Sequence, residues 1–210
     1  MTARALEVIG DRWSLLIVRD LLLGPRRFTD LVHTLNPITP TRLTDRLRRL
    51  EAAEVVEREP AETGNEVWYR LTDSGLDLMP AVDELTFWGI EHAKDPPRPD
   101  EPVHSDTAMI GTKVWLNKHS PAPRDGLVWV WRFPDDDPYT LRAANGSWEL
   151  RRGEDGGAAV TVQATQRDWA TFLTSPREKR RLPTGEVRLE GSPAEIKRFA
   201  KAFGAKAAPR

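Results

Sequence analysis

Between Ile38 and Glu51 the stretch ITPTRLTDRLRRLE sets four arginines, Arg42, Arg46, Arg48 and Arg49, among three leucines. A guanidinium fork can bridge O6 and N7 of a guanine in the DNA major groove, and a threonine can touch a phosphate or a thymine methyl. Wound as a helix, the stretch sorts into faces. Leu43, Leu47 and Leu50 fall at i, i+4 and i+7 and make one apolar stripe. Arg42, Arg46 and Arg49 repeat that spacing one residue out of step. Arg48 lies on the far side with Thr41 and Asp45, and Thr44 completes the outer arc. Taken alone, the pattern also fits an ordinary amphipathic helix with solvated arginines.

The neighbouring segments favour the reading face. ALEVIGDRWSLLIVRDLLLG carries Leu6, Ile9, Trp13, Leu16 and Ile17 at helical spacing, and Gly24-Pro25 ends it. FTDLVHTL (28–35) predicts a two-turn helix, followed by a tight turn at NPI. Thr39 then offers an N-cap with Pro40 at the first helical position. VVEREP and EVWYRL predict two short strands joined through AETGN, with Gly64 where positive φ is easy. Thr72 predicts the cap of a last helix reaching about residue 93, with Pro80 near its start.

Helix, short helix, turn, helix, hairpin and helix make the winged helix-turn-helix order. In such a unit the N-terminal part of the second helix reaches base edges, which selects Thr39, Thr41, Arg42, Asp45 and Arg46 for base reading. Thr44, Arg48 and Arg49 suit phosphates. So do Arg26 and Arg27 ahead of the short helix, and Arg58, Asn65 and Arg70 in the wing. Glu57, Glu59, Glu62 and Glu66 imply that only part of the wing approaches DNA.

The net charge of −1 argues against a generic basic nucleic-acid binder, but the charge is unevenly spread. Residues 1–50 carry nine arginines against five acids, whereas residues 51–95 carry three basic groups against twelve acids. The chain of 210 residues has no cysteine, which excludes disulfides, thiol redox switching and cysteine nucleophiles. His33, His92, His104 and His119 show no metal-ligand spacing. DDD at 135–137 reads as a solvated loop, and neither a phosphate-binding glycine loop nor a nucleophile elbow occurs. The expectation is a non-enzyme without cofactor or metal. With no apolar run of bilayer length and no signal pattern, it is also expected to be cytoplasmic and away from membranes.

KDPPRPDEPV (94–103) holds four prolines and reads as a stiff linker, giving domains 1–94 and 104–210 with the linker at 95–103. In the second domain, SDTAMIGTKVWLNKH predicts a helix, and LVWVWRF a strand with Leu127, Trp129, Trp131 and Phe133 on one face. YTLRA, SWELRR and AVTVQA continue as an antiparallel meander with turns at Asn145-Gly146 and Asp155-Gly156-Gly157. A Thr165-capped helix, the strand EVRLEG and a last helix opening on Ser192-Pro193 with Glu195 in a capping box complete the fold. Leu127, Trp129, Trp131, Phe133, Trp148 and Trp169 either line an apolar ligand pocket or simply fill a core.

ALEVIGDRWSLLIVRDLLLGPRRFTDL, ITPTRLTDRLRRLE, YRLTDSG and LMPAVDELTFWG closely resemble the HxlR-type winged-helix transcriptional regulators across residues 5–92. The resemblance implies a sequence-specific regulator of double-stranded DNA that acts as a homodimer through terminal helices. Leu78, Val82, Leu85 and Trp88 suit that contact as well as they suit an internal core. Two departures stand out. Many members carry a cysteine ahead of the first helix, where this chain reads MTAR. The family's usual glycine after the recognition helix is Glu54, so that turn either changes geometry or stores strain.

Residues 127–204, from the strand through GEVRLEGSPAEIKRFAKAF, resemble the sterol-carrier-like lipid-binding fold, which implies an apolar tunnel. The expectation is therefore an α+β chain: a winged helix-turn-helix domain followed by a sterol-carrier-like antiparallel sheet with helices. Its DNA affinity would be modulated by an apolar small molecule. The alternative is a lipid or hydrophobe carrier that uses its winged-helix domain only for dimerisation or protein docking.

Overall fold

The computed structural model describes residues 1–60, 66–93, 96–98, 100–124 and 126–207. The chain divides into two compact units, Met1–Glu84 and Leu85–Arg210. The division falls ahead of the Pro-rich stretch, of which Asp95 and Pro99 lie outside the described residues.

The first unit runs α1 (Thr2–Ile9), α2 (Arg12–Leu21), β1 (Arg26–Arg27), α3 (Phe28–Thr34), α4 (Pro40–Ala52), β2 (Val56–Pro60), β3 (Val67–Leu71) and α5 (Asp73–Leu76); α6 (Met79–His92) begins in it. The single first helix expected from the apolar spacing is two. Asp11 takes an extended conformation and its carboxylate accepts from the Trp13 amide, starting a new helix. Leu6 is consequently exposed, while Trp13 and Ile17 are buried. The last helix is likewise split. Thr72 caps only α5, and α6 starts afresh with Pro80 in its first turn, where a missing N–H costs nothing. A third strand, β1, pairs antiparallel with β3, so the sheet order is β1-β3-β2.

Leu43, Leu47 and Leu50 of α4 are buried against Ile17, Val18, Leu31 and Leu35. Burying each leucine contributes about 1.5–3 kcal/mol. After α4, Val55 N–H reaches the Leu50 carbonyl and Glu54 stands at φ 56°, a left-handed C-terminal cap. The turn therefore keeps the geometry that glycine serves, and Glu54 bears its strain. Gly75 is required for another reason: a Cβ there would lie 2.1 Å from the Val55 carbonyl oxygen. The AETGN loop lies outside the described residues.

The second unit holds α7 (Ser105–His119), β4 (Val128–Arg132), β5 (Tyr139–Ala144), β6 (Ser147–Arg152), β7 (Val160–Gln163), α8 (Gln166–Thr174), a 3-10 turn (Arg177–Lys179), β8 (Arg181–Leu182), β9 (Arg188–Gly191), α9 (Pro193–Ala202) and β10 (Lys206–Ala207). The sheet is not a simple meander. Its order is β6-β5-β4-β7-β9, with β7 parallel to β4. The physical reason is in β4 itself: Val128, Trp129, Val130 and Trp131 are all buried, so both faces are covered and both edges need partners. Thr165 and Ser192 cap α8 and α9 as expected, but Glu195 faces Arg198 instead of closing a capping box. The Pro-rich stretch is held by Arg167, whose guanidinium donates to the carbonyls of Pro97, Arg98 and Glu101.

Candidate nucleic-acid interface

Thr39 positions α4 by accepting from the Arg42 amide at 3.3 Å, and the buried leucine stripe fixes its rotation. The face that results exposes Thr39, Thr41, Arg42, Asp45, Arg48 and Arg49. The guanidiniums of Arg42, Arg48 and Arg49 make no ion pair among the described residues, which leaves their donors for an outside acceptor. Thr44 is half-buried and donates its hydroxyl to the Pro40 carbonyl, so it is spent on the helix.

Arg46 is placed differently from the rest. Its side chain is 19 % exposed and its Nε stands 3.4 Å from the Asp11 carboxylate. Asp11 thereby serves twice, as the cap of α2 and as the counter-charge that holds Arg46. The sequence signal was an Asp directly ahead of a helix start, but its distance from Arg46 in the chain concealed the pairing.

In the wing, Arg70 bonds Glu59 at 2.8 Å and pairs with Glu57 at 2.9 Å. The Glu59 hydrogen bond holds the guanidinium above its ordinary pKa. Arg27 pairs with Glu66 at 3.0 Å and lies over the Trp68 ring. Arg58 is exposed without an ion pair among the described residues, and Arg26 is half-buried in β1. Asn65 lies outside the described residues. Of the described candidate residues, those without an ion pair are therefore on α4 and at Arg58, while Arg27 and Arg70 are paired with wing acids.

In the second unit, Leu127, Trp129, Trp131, Phe133, Trp148 and Trp169 are all buried. Trp129 stacks on Trp148 at 4.4 Å, Trp131 meets Trp169 at 5.4 Å, and Phe199 and Phe203 fill the space between them. These rings pack on one another as a core, in the offset and edge-on geometries that aromatic quadrupoles favour. Beside them Asp106, nearly fully buried, accepts from Tyr139 Oη at 2.7 Å and from Arg152 Nε at 3.1 Å. Burial and the Asp106 charge push the Tyr139 phenol far above its ordinary pKa. Among the described residues no group of histidines and acids is arranged to hold a metal ion, and no helix is long and apolar enough to cross a membrane.

A short helix, a turn and a recognition helix held over a three-stranded wing, with free arginines on the outer face, define a winged helix-turn-helix DNA-binding unit. A sequence profile described as HxlR-like helix-turn-helix matches residues 8–96. An uncharacterised HTH-type transcriptional regulator of Mycobacterium tuberculosis is 36% identical over 139 residues, covering 59% of this chain and 85% of that protein. The HTH-type transcriptional regulator YodB of Bacillus subtilis is 38% identical over 85 residues, 40% of this chain and 76% of its own. A solved structure titled as the redox regulator HypR in its reduced form is 32% identical, covers 44% of this chain and 92% of its own, and superposes with a TM-score of 0.42. The chain belongs to the HxlR-like helix-turn-helix family and is a DNA-binding transcriptional regulator. The named relatives are regulators, not enzymes.

Proposed function

We propose that the chain is a homodimeric, cytoplasmic, sequence-specific regulator that lays α4 in the major groove of double-stranded DNA. Thr39, Thr41, Arg42 and Asp45 read base edges, and Arg48 and Arg49 hold phosphates. Arg26, Arg27, Arg58, Asn65 and Arg70 belong to the backbone-facing side. Arg46, held by Asp11, sets the angle of α4 more than it reads bases. The observation that carries the reading is the set of unpaired, exposed guanidiniums on one face of a helix whose other face is locked in the core.

The test is selection of bound sites from random DNA, followed by titration of the selected site. Arg42→Ala should relax preference at one position and cost about 1–3 kcal/mol in binding. Affinity should fall steeply with salt, and Arg48→Ala should reduce the slope of log K against log salt by about one. An unchanged site preference after Arg42→Ala would overturn α4 as the reading element.

The dimer is supported by Leu85 and Trp88 of α6 and Leu6 of α1, which are large apolar side chains left exposed. For the second unit, the order β7, α8, 3-10 turn, β8, β9, α9 is what supports the sterol-carrier-like resemblance, and we assign that unit to sensing a small molecule. The ligand must bind one dimer geometry better than the other to change DNA affinity. The packed aromatic core counts against an apolar tunnel at Leu127, Trp129, Trp131, Phe133, Trp148 and Trp169, for an apolar effector as for the carrier alternative, because the expected walls touch one another. Thiol sensing is chemically closed to a chain without cysteine.

A further inference from the structure

A cleft of about 150 Å³ lies within the second unit, between Ile90, Trp115, Pro176, Arg177 and Arg180, with Glu91 and Glu178 also on its wall. Two guanidiniums meet there, those of Arg177 and Arg180, both over the Trp115 ring. Arg180 is only 3 % exposed, and its guanidinium donates to the main-chain carbonyls of Leu173, Ser175 and Phe203. Those bonds cap the ends of α8 and α9 but bring no counter-ion, and no carboxylate among the described residues lies within ion-pair distance of it. Burial and the nearby Arg177 lower its pKa to about 10, so the charge persists at neutral pH in a desolvated place.

Arg177 is half-exposed, lies 4.6 Å over the Trp115 ring, and makes no side-chain hydrogen bond among the described residues. Glu91 stands 3.8 Å from it, close enough to attract but too far to bond. Glu91 is also 3.7 Å from His119, whose ring lies against Trp115. Finally, the Trp115 indole Nε1 is buried without a hydrogen-bond partner. Leaving such a donor unmade is costly. Trp129 and Trp131 share this feature, so the bare indole does not by itself mark the cleft.

Two guanidiniums over the Trp115 ring, beside the apolar surfaces of Ile90 and Pro176, favour a ligand with a carboxylate on a small apolar body. An apolar cavity of about this volume holds a benzene ring, which sets the size. We propose that this cleft binds a small organic carboxylate, with Arg177 and Arg180 holding the anion beside the Trp115 ring. Glu91 competes for Arg177 and sets the affinity. As the effector site of the regulator this rests on the reading above; as a binding site it stands on the cleft alone.

The experiment is calorimetric titration of the full chain, without DNA and at fixed ionic strength, using benzoate, neutral benzamide and inorganic phosphate. Benzoate should saturate at one per chain and bind at least tenfold tighter than benzamide. Arg177→Gln should weaken benzoate at least tenfold, and Glu91→Gln should tighten it. Arg177 and Glu91 are both partly exposed and glutamine keeps the near part of each stem, whereas changing Arg180 would uncap two helices. Unchanged thermal unfolding of both variants checks the fold. In nitrogen-15 spectra the indole signal lost in Trp115→Phe should shift on adding benzoate to the wild type, because the ring lines the cleft. Equal binding of benzamide, indifference to Arg177→Gln, or no saturation at millimolar benzoate would overturn the proposal. Binding of phosphate in place of benzoate would overturn the organic body of the ligand. Because DNA is absent, failure here leaves the reading of DNA by α4 intact, and loss of DNA reading leaves this site intact.

Discussion

Arg42 and Arg46 are four residues apart on α4, yet they do different work. Arg42 is exposed and unpaired; Arg46 is tucked against Asp11. Helical phase set both on the same side of the leucine stripe, and only the position of the α2 cap separates them. Glu54 presents a second residue-scale case. It holds φ 56° in a cap that glycine adopts without a Cβ clash, so Glu54→Gly should stabilise the protein by about 0.5–1 kcal/mol, after the extra chain entropy of glycine is subtracted. Urea unfolding of the two forms checks this; a destabilised variant would show that the glutamate side chain contributes more than its strain.

At the scale of elements, α7 is fastened to the sheet by Asp106, which joins Tyr139 of β5 to Arg152 of β6. Asp106→Ala should cost about 3–5 kcal/mol, because it leaves the part-buried Arg152 guanidinium without its counter-charge and the Tyr139 hydroxyl with Ser105 alone. The same network predicts a pH effect. The native Tyr139 phenol keeps its proton above the ordinary value of 10.0, while the unfolded chain releases it. The folded state then binds more protons, so stability is complete below pH 10 and falls as pH rises beyond it. Tyr69, also raised by burial, contributes in the same direction. Unfolding midpoints measured from neutral to strongly alkaline pH should decline less steeply for Tyr139→Phe than for the wild type. Parallel declines would remove Tyr139 from the cause.

For the molecule as a whole, exposed apolar residues on α6 predict association. Trp88 is 61 % exposed and Leu85 is 55 % exposed, so replacing them costs little internal packing. Leu85→Asp with Trp88→Ala should shift sedimentation from dimer to monomer and weaken binding to a two-half-site DNA, with far-ultraviolet dichroism unchanged. A dimer that survives both substitutions would move the interface elsewhere.

Local signals were enough to place α4, its Thr39 cap, the wing strands and the caps of α8 and α9, because each rests on periodicity or on a hydroxyl within three residues of the amide it bonds. The break between α1 and α2 was legible only in hindsight. Leu6 and Ile9 continue the apolar spacing, and nothing but Asp11 announces a new start. That Thr41, Arg42, Arg48 and Arg49, the residues proposed to face DNA, lie on the outer face of α4 was determined by the sequence alone, since a buried leucine stripe dictates what lies opposite. Which arginines remain free to read was decided by tertiary structure, through acids distant in the chain: Asp11 for Arg46, Glu66 for Arg27, Glu57 and Glu59 for Arg70. The same holds for the tryptophans. Their alternation marked a strand face, but whether that face met a cavity or other rings depended on where α8 and α9 came to rest. Charge pairing and packing are contacts between segments, and no local pattern carries them.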